Sequence, residues 1–232
     1  MDVRGNRFVV FLDIMGFKER VARNSADALY QELTAFNRDI ANIVSEITGA
    51  GTSLPLKQED VSKQLLVSKA DANKEVLLSQ FSDSIILFSG DNSSDSLKTI
   101  TRVASAIMLS AIDREKPIPL KGALAEGYIT CDQAKQLFFG QALIDAYLLE
   151  ENVQYYGIVV HHSAEGSVKN LNSELFCNEK IPLKSGMIEH YEIKWWGSKA
   201  KEALEGLERI RLTVSDSPRK YVDNTKAVVE KL

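Results

Sequence analysis

The first apolar run of the chain extends from Arg7 to Ile14 and reads RFVVFLDI. It is rich in β-branched and aromatic residues and lacks the polar alternation of a strand with one solvated face, so it predicts a β-strand buried on both faces. Apolar residues make up 44% of the 232-residue chain and charged residues 26%, which are ordinary values for a globular protein. The chain is therefore expected to bury a substantial core.

Helical and strand patterns alternate along the rest of the chain. Residues Ala26 to Ile47 and Ser96 to Asp113 carry apolar side chains at helical spacing. Two short apolar runs separated by Phe81 to Ser84 predict a β-hairpin with Asp83 near its tip. The remaining predicted elements before the tail are a strand at Leu120 to Ile129, a helix at Gly140 to Glu151, a strand at Gly157 to His161 and a strand at His190 to Trp196.

The tail from Ser198 to Leu232 predicts two amphipathic helices divided near Asp216 to Pro218. This order of elements predicts an α+β fold, a ferredoxin-like sandwich with helices packed on one face of a mainly antiparallel sheet. We expect a main domain at residues 1–196 and a C-terminal helical extension at residues 197–232. The sequence leaves the structure of the polar stretch at residues 57–73 open.

Charge, hydropathy and cysteine spacing exclude several classes of protein. The formal net charge is -4, so no basic footprint for nucleic acid is expected. The apolar runs are shorter than the ~20 residues of a membrane span, and no signal-peptide pattern follows Met1. Cys131 and Cys177 lack the spacing of a disulfide framework or a zinc site. These features predict a cytoplasmic protein with free thiols and without nucleic-acid or membrane partners.

Two aspartates lie in apolar surroundings. Asp13 follows a run of apolar residues, where an unpaired carboxylate would carry a desolvation cost of several kcal/mol. A divalent cation is one compensating group, and capping of a helix that starts near Phe17 is the alternative. Asp83 by itself fits an exposed turn as well as a functional site. If the fold brings the two acids together, they form the arrangement that a two-metal site requires.

Four motifs carry a resemblance to class III nucleotide cyclases. FVVFLDIMGFKERV resembles the first signature of that family, in which a strand ends in Asp-Ile-x-Gly-Phe. FSDSIILF is similar to the family's hairpin, with Asp83 retained from the usual Gly-Asp pair and Ser82 in place of the Gly. LKGALAEG resembles the later strand with a basic residue and two glycines, and FFGQALIDAYLLEE resembles the Gly-led helix after it. Together the motifs cover about residues 7 to 195 in the family's order.

The resemblance implies a reaction and its metal ligands. The family converts a nucleoside triphosphate into a 3′,5′-cyclic monophosphate with release of pyrophosphate, in a head-to-tail homodimer with active sites at the subunit interface. By this match Asp13 and Asp83 are the catalytic acids. Together with the carbonyl of Ile14 they would ligate two Mg²⁺ or Mn²⁺ ions.

The resemblance also implies contacts to the triphosphate. The backbone amides of Met15, Gly16 and Phe17, at a turn that enters a helix, would receive phosphate oxygens. Lys121 lies at the family's basic triphosphate-contacting position, and a solvated strand lysine is the alternative. Lys184 is a second candidate for the same role, against a plain surface position.

The residues that read a purine base in this family are absent. Purine cyclases use a Lys before the hairpin Asp and an Asp before the later helix, and these positions hold Ser79 and Leu137 here. A small hydroxyl beside an apolar side chain cannot make the purine contacts. The Asn and Arg that stabilise the transition state in many cyclases align with Ile144 and Leu148. These apolar side chains have neither the hydrogen-bond donors nor the positive charge for that role.

This combination resembles the pyrimidine cyclases of bacterial Pycsar antiphage systems, whose cyclic UMP or cyclic CMP product activates a separate effector. The expected reaction is therefore conversion of UTP to cyclic UMP, with CTP as the alternative substrate. An alternative from another class is a degenerate cyclase-homology module that binds nucleotide without turnover. The missing Asn and Arg favour that alternative, and the retention of both acids opposes it.

Overall fold

The computed structural model describes residues 2–49, 75–132 and 135–231, and the polar stretch at residues 57–73 lies outside them. The described residues form eight strands and seven helices. In chain order these are β1 (Asp2–Ile14), α1 (Phe17–Arg23), α2 (Ala26–Thr48), β2 (Val76–Phe81), β3 (Ser84–Ser89), α3 (Ser94–Ile112), β4 (Leu120–Asp132), β5 (Leu137–Phe139), α4 (Gln141–Glu150), β6 (Ile158–Val160), α5 (His162–Leu171), β7 (Phe176–Leu183), β8 (Gly186–Ile193), α6 (Ala200–Arg211) and α7 (Ser217–Val229).

The strands form one mixed sheet with the order β2-β3-β1-β4-β6-β8-β7, and β5 pairs with β4 outside this path. The strand β1 lies inside the sheet between β3 and β4 and is antiparallel to both. Among the described strands only β4 and β6 pair in parallel. The predicted α+β fold with a mainly antiparallel sheet is confirmed.

Both faces of β1 are covered, which explains its uninterrupted apolar sequence. Phe8, Val10 and Leu12 point into the main core, which they share with α2, α3, α5, α6 and α7. Val9 and Phe11 point to the opposite face, where they pack with residues of α4. The prediction that all helices lie on one face is therefore wrong, since α4 covers the second face.

Several short elements differ from the predicted ones. The strand β1 begins at Asp2 rather than at Arg7, and β5, α5 and β7 have no predicted counterpart. The last predicted strand, at His190 to Trp196, is displaced, because β8 ends at Ile193. Trp195 and Trp196 follow the strand and are buried in the main core, with their rings packed edge to face.

The two C-terminal helices belong to the same core as the sheet. Leu207 of α6 and Val222 of α7 are buried in the cluster that also contains Phe8 of β1. Thr225 of α7 accepts a hydrogen bond from the amide of Tyr156, just before β6. The division of the chain at residues 196 and 197 stays a prediction.

Within the described ranges, no helix is long and apolar enough to cross a membrane. Cys131 and Cys177 are both free thiols, as expected.

Candidate active site

Asp13 and Asp83 meet where β1 ends beside the β2–β3 turn. In the antiparallel pairing of β1 with β3, Asp13 lies opposite Ser84. The amide of Ile14 then donates a hydrogen bond to the carbonyl of Asp83 at 2.9 Å. The antiparallel register thus brings together two acids that are far apart in the sequence.

The carboxyl group of Asp13 is partly buried and surrounded by other acids. Burial, together with the charges of Glu150 and Asp83, raises its pKa to about 7, and the charge of Lys121 opposes this effect. A carboxylate in this setting is poorly compensated by the protein alone. The site therefore favours the binding of additional positive charge.

Lys121 is held in the same site by a partner that the sequence analysis did not identify. It lies directly opposite Asp13 in the pairing of β1 with β4, and only 7% of its surface is exposed. Its Nζ lies 2.8 Å from Oε1 of Glu150 and donates a hydrogen bond to the Glu150 carbonyl at 3.1 Å. The alternative of a solvated strand lysine does not hold.

Glu150 is the last residue of α4 and is 4% exposed. One signal in the sequence could have identified it, because it follows Ala142 and Ala146 at intervals of four residues and so continues the buried stripe of the helix. The desolvation of its carboxyl group raises its pKa, and the contact with Lys121 opposes this effect. A buried acid that the sequence did not predict thus interacts with Asp13.

The carboxylates of the site are too few to bind a metal ion by themselves. They fit metal ions that bind together with a substrate. In the part of the chain that the structure describes, no group of three or more His, Cys, Asp or Glu side chains could hold a metal ion. Mg²⁺ usually binds one or two carboxylates together with waters and substrate phosphates. Asp13 and Asp83 provide such carboxylates. Ile14 could contribute only its carbonyl, because its side chain is buried in the core.

The turn after β1 leads into α1 through Gly16, whose φ of 72° lies in the left-handed region. The amide of Met15 donates to the carbonyl of Pro119 at 2.9 Å and is therefore already occupied. For the amides of Gly16 and Phe17, no acceptor is recorded among the described residues. Of the three amides predicted to bind phosphate, those of Gly16 and Phe17 therefore remain as candidates, and that of Met15 does not.

Lys184 lies in the turn between β7 and β8 with an exposed side chain. Its amide donates to the carbonyl of Asn152 at 2.8 Å, two residues after Glu150. Its charge lowers the pKa of Glu150. Lys184 therefore lies at the edge of the site, where it has no ion-pair partner among the described residues.

Ser79 lies near the carboxylates of its own chain. It pairs with Ile86, which in turn pairs with Phe11, two residues from Asp13 along β1. Its side chain is partly buried.

Leu137 lies in β5 and is 50% exposed. It pairs with Asp132, which pairs with Asp2 at the start of β1. Its neighbour Phe138 stacks on Phe88, with ring centroids 5.7 Å apart, and Phe88 pairs with Leu77, two residues before Ser79. The strand β5 therefore lies against the part of the sheet that carries Ser79.

Ile144 and Leu148 lie on the outer surface of α4, where they are 51% and 50% exposed. Other large apolar side chains exposed on the same helix or on the neighbouring strands are Tyr128, Leu137, Phe139 and Tyr147. These six residues are called the α4 patch below. A group of exposed apolar side chains of this size is typical of a surface that binds another molecule.

No protein-family model matches the sequence, and no curated protein matches it. Solved structures do match. The catalytic core of a rhodopsin-guanylyl cyclase with converted specificity, in complex with ATPαS, has a TM-score of 0.59 at 15% identity, covering 84% of this chain and 98% of that chain. The fold is that of the class III nucleotide cyclases.

Further solved structures agree with this cyclase fold. The guanylate cyclase domain of RhGC from Catenaria anguillulae, in complex with GTP, has a TM-score of 0.58 at 13% identity over 84% of this chain and 98% of that chain. The adenylyl cyclase CyaB from P. aeruginosa has a TM-score of 0.54 at 17% identity over 83% of this chain and 95% of that chain. At such identities the likeness concerns the cyclase fold and carries no substrate assignment.

Proposed function

We propose that this chain is a nucleotide cyclase, which converts a nucleoside triphosphate into a 3′,5′-cyclic monophosphate and pyrophosphate. The observation that carries this proposal is the meeting of Asp13 and Asp83 at the end of β1. The raised pKa of Asp13, caused by burial and neighbouring acids, supports a site that functions with added cations. The cyclase fold supports the reaction class by analogy.

Asp13, Asp83 and the carbonyl of Ile14 would hold two Mg²⁺ or Mn²⁺ ions. When bound, such cations lower the pKa of the ribose 3′-hydroxyl and offset the charge of the triphosphate. The hydroxyl oxygen forms a bond to the α-phosphorus, the bond from that phosphorus to the β-phosphate oxygen breaks, and pyrophosphate leaves. The chain contributes two fixed carboxylates to this reaction.

The remaining groups of the site would bind the triphosphate. The amides of Gly16 and Phe17 would donate to phosphate oxygens at the start of α1. Lys121 places a positive charge beside Asp13, and Lys184 provides a second, exposed one at the edge of the site. The substrate is thus bound mainly through its phosphates, as expected for phosphoryl-transfer chemistry.

We propose UTP as the substrate, with CTP as the alternative. Ser79 and Leu137 lie where the resemblance implies that a purine would be read, and they offer one hydroxyl and one apolar surface. A site lacking the polar partners of a purine does not select it. A pyrimidine base is smaller and leaves fewer polar groups unpaired.

The active enzyme would be a homodimer with its sites at the interface. The resemblance to class III cyclases implies this arrangement. The α4 patch provides the apolar surface that such a dimer would bury. The non-canonical dimeric guanylyl cyclase domain of the RhoGC fusion protein from Blastocladiella emersonii has a similar fold, with a TM-score of 0.57 at 15% identity over 83% of this chain and 95% of that chain.

The biological role rests on the resemblance to the Pycsar pyrimidine cyclases. In that role the enzyme is cytoplasmic, residues 1–196 form the catalytic unit and residues 197–232 extend it. The cyclic nucleotide acts on a separate effector during antiphage defence.

The exposed apolar side chains of Ile144 and Leu148 favour a second candidate, a nucleotide-binding module without turnover. Neither side chain can stabilise the charge that develops in the transition state. In this case the acids would bind a metal-bound nucleotide as a signal.

Incubation of the protein with each of the four nucleoside triphosphates and Mn²⁺ tests these proposals. We expect cyclic UMP and equimolar pyrophosphate, measured by chromatography and a coupled pyrophosphate assay. Cyclic AMP as the main product would contradict the pyrimidine assignment. A thermal shift with nucleotide and Mn²⁺ but without pyrophosphate would favour the binding module.

Substitution of the two acids tests the site. Asp13→Ala and Asp83→Ala should each abolish turnover while the protein stays folded, because each removes a cation ligand. The matched control is Asp95→Ala, since Asp95 is exposed on α3 and, among the described residues, forms an ion pair only with Lys98. A near-normal rate in either site variant, measured against this control, would reject the metal assignment.

A further inference from the structure

We propose that Glu150 is a positioning residue of this site: it holds the Lys121 ammonium away from Asp13, so that the Asp13 carboxylate stays available to divalent cations. This inference rests on the proposed metal-dependent function. It goes beyond it by assigning a role to a residue at the end of α4 that contacts no reacting atom.

The geometry fixes Lys121 through two contacts with one residue. Its Nζ lies 2.8 Å from the Glu150 carboxylate and donates to the Glu150 carbonyl at 3.1 Å. That carbonyl, at the end of α4, also accepts a hydrogen bond from the amide of Val153 at 3.0 Å. A cation at the C-terminus of a helix is also favoured by the helix dipole.

The pair is shielded from solvent. The side chain of Lys121 is 9% exposed and that of Glu150 is 5% exposed. An ammonium group buried to this extent requires an anionic partner, because the loss of its hydration is otherwise uncompensated. Among the ion pairs of the described residues, only the one with Glu150 involves Lys121.

Asp13 is the alternative partner. It lies directly opposite Lys121 in the pairing of β1 with β4, and their charges interact, yet no ion pair joins them among the described residues. If Glu150 lost its charge, the ammonium would turn to the nearest remaining carboxylate. The Lys121 ammonium would then form an ion pair with the Asp13 carboxylate and compete with the divalent cations for it.

The arrangement therefore keeps two opposite charges apart inside one site. Glu150 neutralises Lys121 without consuming Asp13, and the ammonium stays close enough to a bound triphosphate to interact with it. A neutral side chain at position 150 would remove this separation. The consequence is a defect in cation binding rather than in the chemical step.

The test compares Mn²⁺ binding by wild type, Glu150→Gln, and the double variant Lys121→Met with Glu150→Gln. Binding is measured by electron paramagnetic resonance of free Mn²⁺, in the presence of α,β-methylene-UTP, in which the bond that breaks in the reaction is blocked. We expect Glu150→Gln to raise the Mn²⁺ dissociation constant about tenfold. The double variant should bind Mn²⁺ about threefold more tightly than Glu150→Gln, because the competing ammonium is gone. Full recovery is not expected, since the contact of Lys121 with the triphosphate is removed as well.

Glu151→Gln is the matched control. Glu151 is the next residue, is exposed and accepts a hydrogen bond from Tyr147, so its Mn²⁺ affinity should equal that of wild type. In steady-state assays, Glu150→Gln should raise the Mn²⁺ concentration for half-maximal rate while changing kcat at saturating Mn²⁺ by less than about threefold. Melting curves establish that each variant is folded.

Equal Mn²⁺ dissociation constants for wild type and Glu150→Gln would overturn the inference. A double variant that binds Mn²⁺ as weakly as Glu150→Gln would also overturn it, because a purely structural role predicts no recovery. Mn²⁺ binding by wild type without any cyclic product would refute the cyclase proposal and leave the binding comparison valid. Absence of Mn²⁺ binding by wild type would refute both.

Discussion

At the scale of single residues, Ser82 adopts a backbone conformation that suits glycine. Its φ is 56°, in the turn just before Asp83, and this is the position where the resemblance expects a Gly. A left-handed conformation costs a residue with a Cβ about 1–2 kcal/mol. The turn that presents Asp83 is therefore strained.

Ser82→Gly should raise the free energy of unfolding by about 0.5–1 kcal/mol, because the relief of strain exceeds the entropic cost of glycine. Urea denaturation measures this change. Ser84→Gly, in β3 of the same hairpin, is the control and should lower stability by a similar amount. A destabilised Ser82→Gly variant would show that the serine makes a compensating contact.

Glu192 is a fully buried carboxyl group away from the candidate site. It accepts a hydrogen bond from Tyr155 at 2.6 Å, and the thiol of Cys177 lies 3.6 Å away. Burial raises its pKa to about 7, above the ordinary 4.5. The folded state thus retains a proton on Glu192 over a pH range in which the unfolded chain has lost it.

A pH-dependent loss of stability follows from this raised pKa. The contribution of protonated Glu192 is fully present below pH 4.5 and is lost as the pH rises towards 7. In wild type, the free energy of unfolding should fall across this range by on the order of 3 kcal/mol because of Glu192. Glu192→Gln should remove this part of the fall. Urea denaturation at several pH values tests it, and an unchanged slope would contradict it. The pKa of Asp13 is raised in the same way. Asp13 therefore contributes part of the pH dependence of stability that remains in Glu192→Gln.

At the scale of elements, α6 approaches the core at a glycine. A Cβ on Gly206 would lie 2.4 Å from the carbonyl of Ile112, at the end of α3. The two helices therefore pack with almost no space between them. This contact ties the C-terminal helices to the same core as β1.

Gly206→Ala should destabilise the whole domain by about 1–3 kcal/mol, because the methyl group overlaps backbone atoms that cannot move aside cheaply. Lys201→Ala is the control on the exposed side of α6. The measurement is urea denaturation followed by circular dichroism and by tryptophan fluorescence. Two separate transitions would show that α6 and α7 unfold independently of the sheet.

At the scale of the whole molecule, the α4 patch is the surface on which the proposed dimer depends. Ile144 is half exposed, so Ile144→Arg can be introduced without disturbing the core. This change should shift the protein from dimer to monomer and reduce turnover, because burial of a charge opposes association. Analytical ultracentrifugation measures the shift.

Leu212 provides the control for this experiment. It is 77% exposed at the end of α6, outside the α4 patch. Leu212→Arg should leave both the oligomeric state and the turnover as in wild type. A monomeric wild type, or a dimer that withstands Ile144→Arg, would reject the proposed interface.

Local sequence patterns were sufficient for the long elements. The strand β1, the hairpin and the helices α2, α3, α4, α6 and α7 carry enough apolar residues at regular spacing to be recognised. The helix α5 contains Gly166 and buries only Ala164 and Val168, so its pattern is weak. The strand β7 combines charged residues with Pro182 and shows no alternation.

The sequence alone determined which residues are apolar, and it placed Asp13 at the end of a predicted strand and Asp83 at the tip of a predicted hairpin. Only the tertiary structure decided that α4 covers the second face of β1 and that its last residue, Glu150, pairs with Lys121, 29 positions earlier. The physical reason is that local patterns arise from neighbouring residues in one element. The partner of a buried charge, in contrast, is set by how separate elements pack against each other.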